Sequence, residues 1–205
     1  MPRKQNKVYS KQRVFRDHRK FVIIAEGDRE DDYFGFFNEI NRRIKIVTVP
    51  RDKGKSACKF FLERLHEYNI REGIEHEDLI WFITDVDKWE RSEIDSLQAV
   101  CLDNPNYNLA ISNPCFEVWL YFHYSNPETL KTKTPKHLKT KLGTIVQGGY
   151  NKKTFCLRID VAAKSAKKSD KHPKHYFPVE MNTKVYNLAE EMLKFLGKNW
   201  IDNIS

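Results

Sequence analysis

Between residues 20 and 124, short apolar runs alternate four times with amphipathic stretches, and no other feature constrains the fold as tightly. Residues 20–25 form an apolar, β-branched run closed by Glu26-Gly27, which reads as a buried strand and a turn. Residues 30–42 place Tyr33, Phe34, Phe37 and Ile40 at helical spacing. Residues 44–49 are a second strand, stopped by Pro50. Residues 56–69 are amphipathic, with Ser56 as the expected N-cap. Residues 78–84 are a third buried strand, residues 92–102 a helix and residues 107–111 a fourth strand. Residues 114–124 read as a largely buried helix with Pro114 in its first turn. This alternation predicts an α/β fold: a parallel sheet with helices on both faces and right-handed crossovers.

Beyond residue 125 the pattern weakens. A length of 205 residues suits one ordinary α/β domain carrying an insertion. We expect a basic arm over residues 1–19, the core over 20–125 and a partly mobile basic insertion over 126–180. Residues 181–205 then supply a C-terminal helix docked on the sheet. Helices are expected near 135–142, 158–168 and 182–196.

Charge divides the chain in the same places. Residues 1–20 carry +7 and residues 131–175 carry +11, so a net of +8 leaves −10 for the rest. An acidic body with two basic segments suits a polyanionic partner, because clustered Lys and Arg bind phosphates and release counterions. The plain alternative is that these segments are solvated and aid solubility. No run approaches the ~18 apolar residues of a membrane span, and no signal-peptide pattern follows the basic N-terminus. Cys58, Cys101, Cys115 and Cys156 form no CxxC pair, so neither a zinc site nor a disulfide framework is expected. Reduced thiols and a cytoplasmic location fit this usage.

In open parallel sheets, functional groups sit beyond the carboxyl ends of the strands. There the sequence places Glu26-Gly27 after strand one, Asp85-Val86-Asp87 after strand three and Ser112-Asn113-Pro114, then Glu117, after strand four. Residues two apart in extended chain point the same way, so Asp85 and Asp87 can face one ion. If strands one and three are neighbours, Glu26 reaches the same place, since strands lie about 4.8 Å apart. Two bare carboxylates ~4 Å apart repel by ~4 kcal/mol at an effective dielectric of about 20. A divalent cation turns that repulsion into binding, and an oxygen-only ligand set suits Mg²⁺ or Mn²⁺.

Three segments resemble motifs of one family. Residues 26–34, EGDREDDYF, resemble an EGxTExxYF motif; residues 83–87, ITDVD, resemble an acidic strand-three motif; residues 112–120, SNPCFEVWL, resemble SNPxFExWL. A shorter likeness lies at residues 182–185, NTKV. Together they resemble the RloB-like family within the Toprim fold of topoisomerases, primases and OLD-type nucleases, over about residues 18–197. Arg29 departs from the pattern, standing where the family has Thr, a position read here as a helix cap. The resemblance implies a Toprim-like (Rossmann-like) sheet and a metal-dependent nuclease, with Glu26 as general acid or base and Asp85 and Asp87 holding Mg²⁺. It also implies the effector of a bacterial antiphage or abortive-infection system (the AbiL arrangement), with an ATPase encoded nearby. RNA, including tRNA, and DNA both stay open as substrate, as does a homo-oligomer.

Around that core, Glu30 reads either as a further metal or catalytic group or as a first-turn helix acid. Glu117, in an apolar context, needs either the site or a basic partner. Arg51, Lys53, Lys55 and Lys88 can reach the same rim and hold phosphate. Lys164, Lys167 and Lys168 have the spacing of a basic helical stripe. Asn113 and His123 read as structural, and His172 and His175 as solvated. Two other functions compete: a non-catalytic, nucleic-acid-binding or regulatory subunit of an ATPase complex, and a haloacid-dehalogenase-type phosphatase using Asp85. The latter needs Thr or Val where Trp89 stands.

Overall fold

The computed structural model describes residues 18–52, 55–87, 89–197 and 200. Most of the basic arm, Lys53 and Lys88 therefore lie outside the described residues. Five strands form one sheet: β1 (Arg19–Ala25), β2 (Ile44–Thr48), β3 (Leu79–Asp85), β4 (Tyr107–Asn113) and β5 (Asn182–Thr183), in the order β2-β1-β3-β4-β5. The first four are parallel, as the alternation requires. The short β5 runs antiparallel to β4, pairing Thr183 with Ser112 and Asn182 with Asn113.

Successive strand residues point to opposite faces, and both faces are covered. Phe21, Ile23, Ala25, Trp81 and Ile83 enter one core. It is closed by α1 (Asp28–Gly35), α2 (Phe37–Ile40), α5 (Glu117–Tyr121), α6 (Pro135–Ile145), α7 (Lys152–Cys156), α8 (Ile159–Ser169) and α9 (Val185–Leu196). Val22, Ile24, Ile80 and Phe82 enter a second core against α3 (Phe61–Glu72) and α4 (Arg91–Asp103). The 126–180 segment thus contributes Leu138, Phe155, Ile159 and Ala166 to the larger core. A buried polar knot ties its end to the last helix. The Lys184 amine meets Asp170 and donates to the His172 carbonyl, and the Tyr186 hydroxyl donates to Asp170 at 2.7 Å.

Three helix starts differ from the sequence reading. The helix expected over 30–42 begins at Asp28 and breaks after Gly35. Its second part is held to β2 by Asn38, whose amide donates to the Ile46 carbonyl (2.7 Å) and accepts from the Ile46 N–H (2.8 Å). Ser56 is not an N-cap: Ala57 is extended, a 3-10 turn spans Cys58–Phe60, and α3 starts at Phe61. Pro114 is not in a helical first turn either. The Asn113–Pro114 bond is cis, and the Pro114 carbonyl accepts the N–H groups of Val86 and Asp87, both at 3.1 Å. Those contacts hold the turn after β3 against the end of β4, so α5 begins only at Glu117.

Candidate metal centre

β1 and β3 are hydrogen-bonded neighbours, with Ala25 opposite Ile83, so Glu26, just past β1, lies beside Thr84 near the end of β3. Glu26 Oε2 accepts from Thr84 Oγ1 at 2.9 Å and from the Asp85 N–H at 2.7 Å. Asp85 is buried, and its Oδ1 has no hydrogen-bond partner. Glu30, one turn into α1, is also buried, and its carboxylate lies over Gly27. A Cβ at Gly27 would lie 2.5 Å from Glu30 Oε2, so the glycine makes room for that carboxylate. Glu117 opens α5, is buried, and is held by Arg29 at 2.7 Å. Asp87 is exposed in the turn after β3.

These groups feel one another. Burial pushes Asp85 well above the ordinary carboxylate range, and the charges of Glu30, Glu26, Asp87 and Glu117 push it further. Burial raises Glu30 to about 7, helped by Glu26, Glu117 and Asp31 and opposed by a backbone hydrogen bond. All these donors are carboxylate oxygens, the chemistry that hard divalent cations prefer. Among the described residues, no three His, Cys, Asp or Glu side chains are arranged to hold one ion together. The carboxylates that could contribute to holding a divalent cation are Asp85, Glu26 and Asp87.

The predicted cations are placed differently from one another. Arg51 pairs with Asp28 and Asp31 of α1, and Lys55 with Glu63 at 2.7 Å. Lys164 pairs with Asp160 of its own helix at 3.5 Å and Lys167 with Glu190 of α9 at 2.8 Å. Lys168 is exposed and lines a groove that begins at Phe122, just past the end of α5. His123 is a core histidine: fully buried, in contact with the Tyr33 hydroxyl at 2.9 Å, and lowered to about 3 by burial. Asn113 is structural, its amide donating to the Pro178 carbonyl at 3.1 Å. All four cysteines are free and buried.

Three residues at the site escaped the sequence reading. Arg29 is not a cap; it lies in α1, whose N-cap is Gly27, and neutralises Glu117. Its signal was the departure from the motif itself. Thr84 orients Glu26 and is readable as the residue before the acidic pair. Arg64, buried at 2% exposure, donates to the carbonyls of Ala25 (2.8 Å), Val49 (2.6 Å) and Pro50 (3.2 Å). Nothing in its local sequence announces that role.

A mostly parallel five-stranded sheet with helices on both faces and carboxylates at its carboxyl edge defines a Rossmann- or Toprim-like α/β protein. The chain belongs to the RloB-like family, whose model matches residues 21–192. No curated protein and no solved structure matches it. Among the described residues, no helix is long and apolar enough to cross a membrane.

Proposed function

We propose that this protein is a divalent-metal-dependent nuclease of the Toprim type, hydrolysing phosphodiester bonds of RNA, tRNA included, or DNA. The observation that carries this reading is the crowding of Glu26, Glu30, Asp85, Asp87 and Glu117 around the ends of β1, β3 and β4, with Asp85 and Glu30 buried and driven toward their protonated forms. Asp85 and Asp87 would hold Mg²⁺ or Mn²⁺ with Glu26 beside them; the ion would neutralise the carboxylates and polarise a phosphodiester oxygen. Two donors on Oε2 fix the Glu26 carboxylate. Glu30, near 7 in the metal-free protein, is matched to take a proton from water or return one to the leaving oxygen at neutral pH. The basic segments would draw in the polyanion that the acidic body repels. The family resemblance supports an antiphage or abortive-infection effector working in the cytoplasm with an ATPase encoded nearby.

The test is cleavage of labelled tRNA, single-stranded RNA and duplex DNA with Mg²⁺, with Mn²⁺ and with chelator, beside the Asp85→Asn/Asp87→Asn protein. Metal-dependent cutting that disappears in the variant is the expected result. A second reading, a non-catalytic subunit of the ATPase complex, draws on the lack of a ready three-ligand geometry among the described residues. It predicts no cutting, and toxicity on co-expression with the ATPase that survives both substitutions.

Gly27→Ala probes the site without replacing a carboxylate. Gly27 has φ −122°, an extended conformation open to alanine, so folding should change by less than about 1 kcal/mol. The added methyl displaces Glu30 Oε2, and Mn²⁺ affinity by titration calorimetry should fall about tenfold, or ~1.4 kcal/mol. Unchanged affinity would mean that Glu30 stands outside the metal site.

A further inference from the structure

A groove of about 500 Å³ lies between α8 and the chain leaving α5, beginning at Phe122, past the C-terminal end of the short helix that Glu117 opens. One wall is a stripe of Arg158, Val161, Ser165 and Lys168, residues spaced three or four apart and hence on one helical face. Of the three lysines that sequence spacing suggested, only Lys168 lies on this stripe. The facing wall comes from Tyr124, Ser125 and Asn126, and Lys171 closes one end.

Two observations set this groove apart. First, Lys164 and Lys167 are neutralised by Asp160 and Glu190, whereas Arg158, Lys168 and Lys171 form no ion pair with a described residue. Three cations thus border one concavity. Its single acid, Glu128, accepts from Ser169 Oγ at 2.9 Å and keeps its charge, so three cations against one acid leave the lining at +2. Second, the groove has a chemical direction. At one end, Arg158 is fixed by donating to the His123 carbonyl (2.8 Å) and by lying 4.5 Å over the Tyr124 ring, beside Val161, which is 37% exposed. At the other, ten residues or about 15 Å along α8, stand Lys168, Ser169 and Lys171. A guanidinium stacks on planar rings and lysines take phosphate as point charges.

We propose that this groove binds a free nucleotide, its phosphates held by Lys168 and Lys171 and its base set against Arg158 and Val161. A volume of about 500 Å³ falls within the range of small-ligand sites. The site is distinct from the carboxylate cluster and does not rest on the nuclease reading.

Titration calorimetry with ADP, adenosine and a single-stranded oligonucleotide, all in chelator, tests it and leaves no metal to bridge phosphate to the carboxylates. Saturable ADP binding, with adenosine at least about tenfold weaker, is expected. Lys168→Ala/Lys171→Ala should weaken ADP by about tenfold or more, and Ser165→Trp, which fills the groove, should abolish binding. These positions are exposed or half-buried, and an unchanged melting temperature confirms that each variant folds. Asp85→Asn should bind ADP as the wild type does. Absence of ADP binding, indifference to both groove variants, adenosine binding as tightly as ADP, or binding of the oligonucleotide alone would each overturn the proposal.

Discussion

Replacing Glu30 by glutamine is expected to raise the melting temperature of the metal-free protein at pH 8 and to leave it nearly unchanged at pH 4. The native carboxyl is raised from 4.5 to about 7, chiefly by burial and then by the charges of Glu26, Glu117 and Asp31. A carboxyl with a raised native pKa holds its proton more tightly folded than unfolded. It therefore favours the folded state most at pH below 4.5, and that advantage is lost as pH rises toward 7. At pH 8 the folded protein must keep a buried charge, or a proton, at a cost of roughly 3 kcal/mol, which glutamine avoids. In a domain of this size that is about 6–10 °C. Mg²⁺ should raise the melting temperature of the wild type at pH 8 more than that of the variant, because the ion relieves the same repulsion by binding only the folded site. Melting curves from pH 4 to 8, with and without Mg²⁺, decide the matter. A variant no more stable than wild type at pH 8 would show that Glu30 is not strained there.

Arg64→Met is expected to destabilise the protein by about 3–5 kcal/mol, or roughly 10 °C, at every pH. The guanidinium donates to three carbonyls, that of Ala25 at the end of β1 and those of Val49 and Pro50 just past β2, and methionine fills its volume without supplying a hydrogen bond. Removing a buried charge refunds its desolvation, which burial makes large enough to lower Arg64 to about 10. That return does not satisfy the carbonyls, each worth about 1–3 kcal/mol when left unpaired. Arg64→Lys keeps the charge but loses the fork and should fall between the two. Urea unfolding measures all three proteins; a loss below about 1 kcal/mol for Arg64→Met would show that water replaces the guanidinium. Because Ala25 directly precedes Glu26, the same variant should weaken metal binding.

The strands and the site differ in how far local sequence reaches. β1 to β4 were legible within one or two residues, because continuous β-branched and aromatic runs bounded by Gly, Pro or Asn have few other ways to be buried. Helix starts were less so: Ser56 and Pro114 have the right chemistry for an N-terminus, but the Pro114 carbonyl serves the turn after β3 instead. The lysines show the same limit. Spacing placed Lys164, Lys167 and Lys168 on one helix, and whether each charge is free depended on Asp160, one turn away, and Glu190, on another helix.

By itself, then, the sequence determined the parallel α/β sheet and put Glu26, Asp85, Asp87 and Glu117 at or beyond its strand ends, since strand burial and side-chain alternation are local properties of the chain. Only the tertiary structure decided that β1 lies against β3, that Arg29 neutralises Glu117 across 88 residues, and that Glu30 is buried over Gly27 rather than solvated. The reason is that strand order and the dielectric around a charge depend on what packs beside a residue, and those neighbours come from distant parts of the chain.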